Sequence, residues 1–132
     1  MTRLTTSVFA FTFLVVFCFS SLSYGQGRVD IVQIYESFFV SRVAALECDG
    51  INKATEEKFL SNQLTITIRA TQALKERNPD LSDSDVTTKI GEIQNQLKKN
   101  VQNEVAINGC SSERIQQLLK MYKMHSTMSL GG

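Results

Sequence analysis

From Asp30 onward the apolar residues recur at helical spacing. Ile31, Ile34, Tyr35, Phe38, Phe39, Ala45 and Leu46 fall largely three and four residues apart, which predicts a helix over about 29–48. Val32 and Val40 widen its apolar face, so this helix is expected to be the most buried, with Gly50 as its stop. A second helix is expected over 55–77. Thr55 is its expected cap, Glu56 and Glu57 sit at the positive end of its dipole, and Asn78-Pro79 ends it. Phe59, Leu60, Leu64, Ile66, Ala70, Ala73 and Leu74 make its apolar face. Inside it, Leu64 to Ile68 alternate apolar and Thr with a period of two, which is a strand signature. The flanks are helix formers without turn residues, and the helical reading prevails.

The third helix, over 83–106, has the cleanest pattern. Val86, Ile90, Ile93, Leu97, Val101 and Val105 form one narrow apolar stripe among Lys, Gln, Asn and Glu. Ser82 or Asp83 is its expected cap. The acidic run Asp80 to Asp85 raises a calcium loop as a candidate. No register from Asp80 or Asp83 gives both the Gly and the Glu that such a loop needs, and capping accounts for it. A short fourth helix over 112–125 carries Ile115, Leu118, Leu119 and Tyr122, capped by Ser111 or Ser112. The tail after His125 reads as frayed.

The start of the chain follows a different logic. Arg3, the apolar run from Val8 to Phe19 and the small residues Ser23 and Gly25 have the order of a secretory signal cut before Gln26. The apolar run is too short for a stable membrane anchor. A secreted or periplasmic protein of one helical domain, 26–132, is therefore expected. The whole chain has 14 Lys+Arg and 13 Asp+Glu. Removing Arg3 with the signal balances the two signs, which argues against a nucleic-acid binder working through bulk charge.

Two cysteines remain after the signal, Cys48 and Cys110, in a chain addressed to an oxidising compartment. One disulfide is the leading reading, with free thiols or an intermolecular bridge as alternatives. Four helices with short connections predict a small antiparallel four-helix bundle, all-α, and that arrangement brings both cysteines to one end. A zinc site lacks ligands, because His125 is the single histidine.

The chemistry-bearing patterns are sparse. There is no nucleophile elbow, phosphate loop or metalloprotease helix. The acidic pairs Glu56-Glu57 and Asp83/Asp85 fall at helix starts, where the dipole explains them. Catalysis is not expected, and no cofactor is implied. The apolar excess around Val32, Tyr35, Phe39 and Val40 points to binding. The expectation is a protein partner, with an inhibitor, immunity or chaperone type of role, or a homodimer seam. A small apolar ligand or lipid is the alternative. Met121, Met124 and Met128 line one helical stripe beside His125, a soft donor set suited to Cu(I), which is the second alternative.

Overall fold

The computed structural model describes residues 29–130, and those residues form four helices packed against each other. They are α1 (Ile31–Glu47), α2 (Lys53–Arg77), α3 (Asp83–Asn108) and α4 (Glu113–Thr127). The signal segment 1–25 lies outside the described residues. Residues 64–70 are helical within the unbroken α2.

Each helix starts where a short polar side chain can take an orphan backbone N–H. Asp30 accepts from Val32, Ser82 from Asp85 and Ser112 from Ile115. Ser82 and Asp85 bond reciprocally in a capping box. At α2 the expectation of Thr55 is corrected. Asn52 is the cap, and its side-chain oxygen accepts from Ala54 at 3.0 Å and Thr55 at 3.3 Å. Asn and Thr both cap well, and Asn52 comes first along the chain, so the helix begins two residues earlier than expected.

α1 ends just before Gly50, and the left-handed residue at that end is Asp49, at φ 53°. The Gly50 N–H then reaches back to the Ala45 carbonyl at 2.8 Å, closing the helix end. Gly50 is there for closeness: a Cβ on it would lie 3.2 Å from Leu119 Cδ2 and 3.4 Å from Ala45 Cα.

α1 is the one helix that packs broadly against each of the other three. It supplies Tyr35, Phe38 and Ala45 to one apolar cluster with Phe59, Ile66, Ala70 and Tyr122. It supplies Val43 and Ala44 to a second cluster with Val101 and Ile115. A large side chain as fully enclosed as Phe38, Phe59 or Ile115 contributes about 1.5–3 kcal/mol. Leu46, expected on the buried face, is 51% exposed. It lies one helical step past the faces that Ala44 and Ala45 turn inward.

Polar contacts link the helices in a consistent order. Arg42, late in α1, pairs with Glu56, early in α2. Arg77, ending α2, forks onto Asp30, just before α1, at 2.9 and 2.8 Å. Tyr35 meets Gln94 and Glu47 meets Gln102, in the same sequence order along α1 and α3. Cys48, capping α1, is bonded to Cys110, just before α4, with the Cα atoms 5.7 Å apart.

The tail is held in place where fraying was expected. α4 continues to Thr127, and Asn62 on α2 donates to the carbonyls of His125 and Met128, both at 2.8 Å. Leu130 packs against the first cluster. A side-chain clamp from another helix does what no local propensity in this segment could.

Candidate functional site

The expected apolar surface on α1 is divided by the fold. Tyr35 is 2% exposed and belongs to the core, its hydroxyl accepting from Gln94 Nε2 at 2.6 Å. Val32 leans on the first cluster, while Phe39 and Val40 lean on the second. Phe39 also lines an open groove.

The Met/His segment is divided as well. Met124 and Met128 are exposed and Met121 is half-buried, whereas His125 is 4% exposed. Its ring stacks on Phe38 with centroids 3.9 Å apart and planes within 7°. Nδ1 lies 3.1 Å from Ser41 Oγ and Nε2 lies 3.4 Å from Ser37 Oγ. Ser41 Oγ donates its own hydrogen to the Phe38 carbonyl at 2.9 Å, so it must accept from the ring. That places the imidazole proton on Nδ1 and leaves Nε2 as the acceptor for Ser37. Burial pushes the His125 pKa below the usual value. The ring thus sits inside the core, between aromatic side chains and serine hydroxyls.

Glu56 has a role that its position at a helix start concealed. One carboxylate oxygen accepts from Arg42 Nε at 2.8 Å, and the other accepts the Tyr122 hydroxyl at 2.6 Å. Burial first, then the adjacent Glu56, pushes the Tyr122 hydroxyl well above its ordinary pKa. These three side chains join α1, α2 and α4. They are satisfied among themselves, and their arrangement is structural.

The surface with binding character is on α2. Leu60, Leu64 and Ile68 are 42, 63 and 51% exposed. They stand four residues apart, forming a ridge along the outer side of the helix. Leu60 and Leu64 were expected to face inward. Phe59, Ile66 and Ala70 take the buried face instead. The alternation from Leu64 to Ile68 explains the split, because two residues along a helix turn the side chain by about 200°. Ile66 points in, so Leu64 and Ile68 point out.

Beside the ridge runs a groove of about 510 Å³ lined by Phe39, Arg42, Leu60, Gln63, Leu64, Thr67 and Gln94. Its one cation, Arg42, is paired with Glu56. No residue from Phe59 to Ile68 is charged. Thr67 and Thr71 turn their hydroxyls back onto the carbonyls of Gln63 and Thr67, both at 2.8 Å, and Thr65 does the same toward Ser61 at 3.4 Å. The hydroxyl hydrogens of these threonines are thus used within the helix, which lowers the desolvation cost of covering them.

No family model, curated protein or solved structure matches the chain. The fold and surface define a class: an all-helical chain with a Cys48–Cys110 disulfide and one apolar, charge-free ridge. Among the described residues, no helix is long and apolar enough to cross a membrane.

Proposed function

We propose that the chain is exported, cut before Gln26, and acts as an antiparallel four-helix bundle that binds a protein through the α2 ridge. The ridge carries this reading: three large aliphatic side chains stay exposed in a row while the same helix buries Phe59, Ile66 and Ala70 on its other side. Interface centres are depleted of charge and rich in apolar side chains, and the segment 59–68 has both properties. The contacts of Arg42 with Glu56 and of Arg77 with Asp30 support opposed directions for α1 and α2. The disulfide supports an oxidising destination.

A photoreactive residue at position 64 of the mature protein tests the reading, with the same residue at exposed Lys99 on α3 as control. The expected result is a protein adduct at 64, suppressed by excess unlabelled protein and missing at 99. Equal adducts at both positions, or none at 64, would refute it. N-terminal sequencing of exported material should begin at Gln26.

A further inference from the structure

We infer that His125 is a proton-operated latch: acid releases the last turn of α4 and the segment up to Leu130 from α1 and α2, while the rest of the fold stays closed. The inference stands apart from the α2 ridge and gives the protein a response to pH.

The ring occupies a slot that suits its neutral form. Phe38 covers one face, and the Phe59 ring lies with its centroid 6.2 Å away. Ser41 Oγ has given its hydrogen to the Phe38 carbonyl and accepts the proton on Nδ1. A second proton, taken from solvent, would fall on Nε2. Its partner there is the Ser37 hydroxyl at 3.4 Å, a long contact with a neutral group. A charge at that depth needs a counter-ion, and among the described residues no carboxylate bonds the ring.

Charged and titratable groups flank the slot on every element packed against it. They are Glu36 and Arg42 on α1, Glu56, Glu57 and Lys58 on α2, and Tyr122 and Lys123 on α4. Arg42, Glu56 and Tyr122 are bonded to one another. Glu57, Lys58 and Lys123 are exposed, and Glu36 is half-buried beside Tyr35. Among the described residues, α3 supplies the ring with neither a hydrogen bond nor an aromatic contact. Burial is the cause that holds the imidazole pKa down.

The two halves of α4 are held differently. Its start is tied by the Cys48–Cys110 bridge and by fully buried Ile115, and Tyr122 is fixed to Glu56. Beyond Tyr122 the ties to other helices are the His125 ring, the Asn62 amide on two carbonyls, and Leu130. A hollow of about 370 Å³ lies between Lys58 and Ser61 on one side and Thr127, Met128 and Ser129 on the other. Since Tyr122 stays anchored one turn earlier, the ring can leave its slot only if the last turn unwinds. Its departure bares Phe38 and Phe59.

The released ring is an ordinary histidine, near 6.5, so closure is at full strength above that pH and weakens as pH falls below it. At pH 5.0, half a unit between open and closed pKa values gives about threefold more opening. Complete exclusion of the proton from the closed form gives about thirtyfold.

Amide exchange of His125, Ser126 and Thr127 tests the latch, followed by NMR in the mature, disulfide-intact protein and corrected for intrinsic rate. Between pH 7.5 and 5.0 these amides should lose at least about threefold of their protection, while Leu118 and Leu119 in the same helix keep theirs. His125→Phe, which keeps the stack without a titratable group, should abolish the difference. Ser37→Asp, which sets a carboxylate against Nε2, should hold the end closed at pH 5.0. A smaller change, an equal loss at Leu118 and Leu119, or a loss of wild-type size in either variant would overturn the inference.

Discussion

His125 is the single histidine of the chain, so its protonation can be followed without interference. The ring is 4% exposed, stacked on Phe38, with its edges against Ser37 and Ser41. Charging it would put a cation among aromatic side chains with only serine hydroxyls as partners, and burial is the cause that lowers its pKa. The unfolded chain has an ordinary histidine, near 6.5. Folding therefore favours the neutral form. The His125 contribution is fully present above about pH 6.5 and is lost as pH falls from there through the lower, folded pKa. Each unit of separation between the two values removes about 1.4 kcal/mol. A protein this size has about 5–15 kcal/mol in total, so a loss of that order is measurable. Urea unfolding at pH 7.5 and 5.0, with an NMR titration of the imidazole Cε1 proton, gives both quantities. Asp30 and Asp85, whose pKa values are lowered by Arg77 and by Ser82 respectively, act near and below pH 4, outside this window. His125→Phe keeps the stack and should flatten the dependence between pH 7.5 and 5.0. A folded pKa at or above 6.5, or stability that holds or rises as pH drops, would refute the reasoning.

Cys110→Ser opens a crosslink spanning a sequence separation of 62. It should cost about 4 kcal/mol by the chain-entropy model, read as a lower urea midpoint that reduction of the wild type reproduces. Asp49→Gly removes a side chain from a left-handed position and should stabilise by about 1 kcal/mol in thermal melts. Loss of stability there would show that the Asp49 side chain has work of its own. Tyr122→Phe deprives Glu56 of a 2.6 Å donor and should cost about 2 kcal/mol. In Glu56→Gln background the same change should cost clearly less, and equal costs would mean the pair is uncoupled.

The helices were legible where one face had to be apolar. On α3 the stripe from Val86 to Val105 is the face turned inward, with Val86 and Val101 buried. The disulfide followed from composition and helix order. α2 was only half legible: its apolar residues are numerous enough for two faces, and propensity does not say which one the core takes. Only the placement of Phe59 and Ile66 against α1 and α4 decides that Leu60 and Leu64 face out. Glu56 and Asn62 were illegible for another reason. Their partners, Tyr122, His125 and Met128, lie more than 60 residues away, and no local pattern announces a contact of that span.

The central place of α1 also bears on how the protein is made. Synthesis delivers this helix first, yet the three helices that cover it come afterwards, ending at Thr127. At about 5–20 residues per second, roughly 4 to 16 s pass between the completion of α1 and that of α4. Throughout that interval Phe38 and Tyr35 lack Tyr122 and His125 as neighbours, and Cys48 has no Cys110 to meet. The central helix is thus the first of the four to be made, and its final packing waits for the last helix to arrive.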